Sequence, residues 1–242
     1  MTDAPDAPIT TTVEDGVAVM RFDDGKANAV SHAVIDAVHA ALDAAEADEG
    51  THAVVLAGRD GMFCAGFHLP TMTESLEAMR SLVGDGARLM ARMATCPLPI
   101  VAAGTGHALA AGALLLLASD ARVGARNTEK PAKIGLNEVG IGMALPVFAI
   151  ALAEERLAAD HVLAATLHSR IYDPEGAVVA GYLDEVVPPS EVVPVAVERA
   201  RALGEIRRSA YAGTKARLRG PVAERMLATL DADLGTVDVP TP

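Results

Sequence analysis

The period of the hydrophobic positions changes repeatedly along the chain, and each change predicts an element. Gly16 to Asp24, "GVAVMRFDD", alternates apolar and polar residues and runs into a turn-forming Asp-Asp-Gly, the pattern of a half-buried strand. Val34, Val38 and Leu42 then recur every four residues. With Ser31 placed as N-cap and Gly50 beyond the end, they predict an amphipathic helix from Ser31 to Ala47. "HAVVLAG", His52 to Gly58, is a short β-branched run closed by glycine, as a buried strand reads.

The cycle then repeats. A turn-rich "RDGMFCAGFHLP" leads into a helical segment from about Thr73 to Thr95, expected to be interrupted at Gly84 and Gly86 and closed by Pro97 and Pro99. "IVAAG" (Ile100 to Gly104) and "ARVGA" (Ala121 to Ala125) read as further buried strands, and "ALLLLASD" between them predicts a helix apolar on all sides. Beyond Pro146 the pattern is largely helical, broken by one short strand, "LDEVV", Leu183 to Val187. No low-complexity linker or repeat divides the chain. The expected organisation is an α/β core over residues 1–190 and a helical C-terminal region over 191–242, with the closing "TVDVPTP" disordered.

Composition narrows the chemistry. Hydrophobic residues make up 51% of 242 but aromatics only 3%, so the core must be built from Ala, Val, Leu, Ile and Met. A formal net charge of −12 argues against attraction to nucleic acid or an anionic membrane surface, and any phosphate-bearing ligand needs a local basic site. The two cysteines, Cys64 and Cys96, form neither a framework of bridges nor a metal-ligand spacing, which fits a reducing compartment. The acidic, Pro-containing start has no secretory pattern. The longest apolar run, Ala108 to Ala118, is about half the ~20 residues that cross a bilayer. A cytoplasmic protein with no metal is expected.

Three stretches could carry chemistry. In "FCAGFHL", Phe63 to Leu69, a strand ends in a Gly-containing turn that can leave backbone N–H groups pointing at a ligand; the plain alternative is a tight turn between strand and helix. In "GHALAAGALLLL", Gly106 to Leu117, small residues precede a buried helix whose N-terminus favours an oxyanion; the alternative is a helix start with small residues for packing. Neither contains GxGxxG or the P-loop order. The third, "IGLNEVGIG", sets Glu138 among Leu136, Val139 and Ile141, as a surface residue between buried neighbours or as a desolvated acid with a raised pKa. His107 has no Ser or Cys partner at a suitable spacing and reads as a packing histidine. The basic run Arg207, Arg208, Lys215, Arg217 and Arg219 reads as a solvated helix face.

In this order, from about Lys26 to Val187, these stretches resemble the crotonase superfamily, the enoyl-CoA hydratase/isomerase family. "KANAVS" resembles its early coenzyme A (CoA) contact segment, "FCAGFHL" and "AGTGHALAAGALL" its two oxyanion motifs, "IGLNEVGIGMALP" its catalytic-Glu segment and "EGAVVAGYLDEVVP" its late core motif. The resemblance implies a crotonase-like α/β fold of repeated ββα units with a helical C-terminal region that assists oligomerisation and covers the CoA groove. It assigns oxyanion N–H groups to Phe67, after Gly66, and to Ala111, beside Gly112, and makes Glu138 the catalytic acid–base. Ala27, Ala29, Ala65 and Leu69 match groove-lining positions, and Lys26 could meet CoA phosphate. It also implies an acyl-CoA substrate, no cofactor beyond the CoA carried by that substrate, a homotrimer or hexamer, and a C-terminal basic helix able to meet CoA phosphates.

Two positions depart from the family pattern. Where hydratases of the family carry a second Glu, two residues after Gly112, this chain has Leu114. His68 stands where Asp is common. One acid in apolar surroundings suits a double-bond shift better than hydration. The motifs therefore resemble the Δ3,Δ2-enoyl-CoA isomerases most, with a hydratase and a non-catalytic acyl-CoA-binding protein as the alternatives.

Overall fold

The computed structural model describes residues 8–126 and 129–236. The expectation for "TVDVPTP" lies outside these from Val237 onward. In chain order the elements are β1 (Ile9–Glu14), β2 (Val17–Phe22), β3 (Ala29–Val30), α1 (His32–Ala47), β4 (Ala53–Ala57), β5 (Gly61–Cys64), β6 (Gly66–Phe67), α2 (Leu69–Glu74) and α3 (Leu76–Thr95). Then come β7 (Ile100–Gly104), β8 (Gly106–Leu109), α4 (Ala111–Ala118), β9 (Ala121–Ala125), β10 (Ile134–Gly135) and α5 (Val147–Arg156). The chain continues through α6 (Val162–Thr166), α7 (Pro174–Ala180), β11 (Glu185–Val187), α8 (Val192–Gly204), α9 (Arg208–Ala228) and α10 (Leu230–Gly235).

A six-stranded sheet in the order β1-β2-β4-β7-β9-β11 forms the centre; β1 runs antiparallel to β2 and the other pairs are parallel. Successive units send one strand to this sheet and the next to a smaller one, then return by a helix. β4, β5 and α3, then β7, β8 and α4, then β9, β10 and α5 follow this rule, and β5, β8 and β10 pair in the smaller parallel sheet. This is the repeated ββα arrangement of the crotonase fold.

The side-chain alternation of the strands divides the core. Val54, Leu56, Ile100 and Ala102 enter the larger cluster, shared with α1, α3, α4 and α5, whereas Ala53, Val55, Val101, Ala103 and Val123 pack beneath Val192, Ala196 and Ala200 of α8. Burial on both faces is why these strands read as continuous apolar runs. The α1 prediction is met in detail, since the Ser31 hydroxyl accepts from Val34 N at 3.3 Å. α4 is buried at every residue.

Two expectations are corrected. α3 runs unbroken through Gly84 and Gly86, because tertiary packing outweighs a helix penalty of about 1 kcal/mol per glycine. A Cβ on Gly86 would lie 2.6 Å from Cζ of the Phe67 ring, and one on Gly84 would touch Leu234 at 3.5 Å. The helical region also starts earlier, as α2, and Ser75 separates the two helices by capping α3 through Ala78 N at 3.0 Å. β1 was not expected: it is an edge strand with only Ile9 buried, so its sequence lacks the alternation that marks a strand.

Candidate functional site

One large cavity, ≈ 1500 Å³, lies where these units meet. Its wall is formed by the segment after β2, by β6 and α2, by the start of α4, by the Asn137–Pro146 loop and by faces of α3, α5 and α10.

The segment after β2 is held by a side-chain pair. Asn28, fully buried at φ +52°, donates through Nδ2 to Phe22 O at 2.8 Å and to Met62 O and Phe63 O at 3.2 Å. Asp24 accepts from Lys26 N (2.7 Å), Asn28 N (2.8 Å) and Ala29 N (3.0 Å). Burial alone would raise the Asp24 carboxyl, but the N–H groups of Asn28, Ala29 and Lys26 and the Arg59 charge outweigh it and hold the pKa below the usual value. This clamp presents Lys26, Ala27 and Ala29 to the cavity, with Lys26 exposed. Neither Asp24 nor Asn28 was expected as a positioning residue, although a left-handed Asn within "KANAVS" is a turn signal that could have pointed to it.

The two turns are brought together. Gly66 adopts φ +122°, open to glycine, and a Cβ there would lie 3.2 Å from Ala110 Cβ and 4.0 Å from Ala111 N. Gly112 lets the first turn of α4 rest on β5, since a Cβ would stand 2.8 Å from the Cys64 carbonyl carbon. Ala110, at φ +50° and ψ −120°, holds a strained conformation of about 1–3 kcal/mol that turns β8 into α4. Ala65, Gly66, Phe67, Leu69 and Leu114 line the cavity, as does Ala110, whereas Ala111 and Gly112 lie buried behind the wall. Leu69 is on the outside, 68% exposed.

Glu138 opens a 3-10 turn, Val139–Ile141, and lines the cavity with Leu114, Met143 and Phe148. Its Oε2 is buried without a hydrogen-bond partner. Burial pushes the acid up to about 7, against the opposing backbone N–H groups of Glu138 and Asn137. Glu138 is therefore a desolvated acid. Of the neighbours expected to desolvate it, Leu136 is buried and Ile141 lines the cavity although 56% exposed, whereas Val139 is 38% exposed and is not part of the cavity wall; Leu114, Met143 and Phe148 complete the apolar surroundings. Asn137, unnoticed in the sequence, also lines the cavity with a buried, unpartnered Oδ1.

His68 also lines the cavity, where it starts α2 and its Nδ1 bonds Thr71 Oγ1 at 3.0 Å. The other candidates stand apart from this constellation. His107 Nδ1 accepts from Lys133 N at 2.9 Å, a packing role. Burial pushes the Cys64 thiol up to about 12 and the Cys96 thiol up to about 11, so neither is a ready thiolate. The solvated-face reading of the basic run fails at two positions. Lys215 and Arg219 are buried: Lys215 Nζ meets Asp120 Oδ2 at 2.6 Å, and Arg219 binds Glu155 through Nε and Nη2 while donating to Leu117 O and Ala118 O. These two cations hold the C-terminal end of α4 and are closed to CoA phosphate; Arg207, Arg208 and Arg217 are exposed. Among the described residues, no group of His, Cys, Asp and Glu is placed to hold a metal, and no helix is long and apolar enough to cross a membrane.

Comparison with known proteins agrees with this fold. The family profile of enoyl-CoA hydratase/isomerase matches residues 12–239. A solved enoyl-CoA hydratase/isomerase family protein from Pseudomonas syringae is 38% identical, with TM-score 0.91, over 96% of this chain and 99% of that one. A probable enoyl-CoA hydratase of Mycobacterium avium is 32% identical over 88% of this chain and 83% of its own length. The human mitochondrial enoyl-CoA delta isomerase 1 is 30% identical over 90% and 72%. With its ββα units, its cavity and these relatives, the chain belongs to the enoyl-CoA hydratase/isomerase family and is an enzyme of that family.

Proposed function

We propose that the protein shifts the double bond of a 3-enoyl-CoA thioester into conjugation, giving 2-enoyl-CoA. The observation that carries this reading is the pairing of Glu138, a half-buried acid whose Oε2 is enclosed without a partner and whose pKa is pushed up to about 7, with apolar Leu114 on the same cavity. The other carboxylates on the wall are Asp23 and Asp24, and both are occupied by backbone N–H groups of their own turn. Hydration needs a water held and activated by two acids; a 1,3-proton shift needs one.

The thioester oxygen lies between the N–H groups of Phe67 and Ala111. The closeness of Gly66 to Ala111 N supports this pairing, as does the position of Ala111 as first residue of α4, where the N–H has no intrahelical acceptor. Charge developing on that oxygen is stabilised there, which lowers the barrier to loss of the C2 proton. Glu138 takes this proton, leaving a dienolate, and returns it at C4. No atom is gained or lost, and the steps call for no cofactor beyond the CoA of the substrate. Lys26, Ala27, Ala29 and Ala65 border the CoA chain, with Gly66 at the thioester end and Leu69 at the exposed rim of the groove.

Exposed Leu163, Leu167, Ile171 and Val179 give an apolar surface that supports assembly as a trimer or dimer of trimers. Light scattering that gives a monomer at micromolar concentration rejects the assembly. The reaction is tested by incubating the protein with 3-enoyl-CoA and 2-enoyl-CoA separately. Conjugation of the first without hydration of the second is expected. Hydration alone would establish a hydratase, and binding without turnover a non-catalytic acyl-CoA carrier.

A further inference from the structure

We propose that α10 is the end wall of the acyl compartment and that Leu234 is its stop, so that the substrate carries a plain hydrocarbon chain of limited length. The inference rests on the acyl-CoA reading of the cavity. Beyond Glu138 and Leu114 the wall is built from Met72, Met79, Val83, Phe148, Ala149 and Leu234. None of these can pair with a carboxylate, an amine or a hydroxyl, so a polar chain end would be buried there unsatisfied.

Leu234 closes this space because its helix is fastened on both sides. Asp233 Oδ2 accepts from Val147 N at 2.6 Å, which caps the start of α5 immediately after the Glu138 loop. Arg80 Nη2 of α3 donates to Gly235 O at 2.9 Å, and Arg88 pairs with Asp231 at 3.6 Å. Leu230 and Leu234, one turn apart, are both buried. Gly84 of α3 offers a bare backbone against which Leu234 Cδ1 sits, so the stop is seated between α3 and α5. These contacts seat the end wall against both helices.

The test uses Leu234→Ala, which opens space, and Leu234→Phe, which fills it. Dissociation constants are measured for saturated acyl-CoA thioesters of increasing length, which bind without being turned over. Conversion of the matching 3-enoyl-CoA series is followed in parallel. Leu234→Ala is expected to move the preferred length up by about two carbons, with the longer ligands binding about fifteenfold tighter than to wild type, and Leu234→Phe to move it down. An unchanged length profile in both variants, with melting temperatures near wild type, overturns the proposal. Should one variant fail to fold, the other still decides. A shifted binding profile without isomerisation leaves the end wall standing and removes the proposed reaction; isomerisation with an unshifted profile does the reverse.

Discussion

Glu138→Gln is expected to make the protein more stable while disabling it, and only above a defined pH. The acid is raised from 4.5 to about 7, so the folded state holds the proton more tightly than the unfolded chain. That contribution is complete below pH 4.5 and is lost as pH rises through about 7, where the fold must carry a poorly solvated charge. The shift corresponds to about 3 kcal/mol at pH 8. Glutamine carries no charge at any pH, but burying its amide beside an apolar wall costs about 1–2 kcal/mol, leaving a net gain of about 1–2 kcal/mol. For a chain of this size that is a rise of about 3–6 °C in melting temperature at pH 8, vanishing or reversing at pH 5. Turnover should fall about 100-fold or more, with acyl-CoA affinity within a few-fold. The wild-type rate should be half-maximal near pH 7 and about tenfold below its plateau at pH 6. Thermal melts and initial rates across pH 5 to 9, on both proteins, make the comparison. A difference in melting temperature that does not change with pH would show that Glu138 is solvated in the fold. Retained turnover would remove it from the chemistry.

Leu114→Glu places a second carboxylate on the cavity wall and should raise hydration of 2-enoyl-CoA relative to isomerisation, with a loss of about 1–3 kcal/mol in stability; a folded variant with unchanged hydration in a coupled assay counts against it. Gly86→Ala sets a methyl group into the Phe67 ring, and the displaced strand should lower turnover more than acyl-CoA affinity, as steady-state kinetics beside ligand titration will read. Arg219→Met leaves Glu155 and the α4 carbonyls without their donor, so denaturant melts should lose about 3–5 kcal/mol.

What could be read from the sequence follows from where the signal resides. β4, β7 and β9 are apolar throughout because both faces are buried, and Ser31 announces α1 because a cap is a local contact. Glu138 was legible as a candidate because a lone acid in an apolar segment is unusual, and Ile141 and Met143 of that segment do line its cavity, but Leu114 and Phe148 on the same wall come from other elements. Features set by distant partners were not legible. Gly84 and Gly86 look like helix breaks until Leu234 and the Phe67 ring are seen against them, and Lys215 and Arg219 look like surface charges until Asp120 and Glu155 are seen facing them. β1 was missed because an exposed edge needs no hydrophobic pattern.

The contacts of Lys215 and Arg219 also bear on the order in which the molecule can be completed during its synthesis. Asp120 and the last carbonyls of α4 receive their donors from residues 95 to 102 positions later. At ribosomal rates of about 5–20 residues per second, the most hydrophobic helix of the chain spends about 5–20 s without the cations that cap it. During that interval α4 can already pack on α3, β8 and α5, but Asp120 and the last carbonyls of the helix have no cation to receive. A chain stopped before Lys215 is expected to accumulate in the insoluble fraction, whereas one stopped after Ala228 should stay soluble.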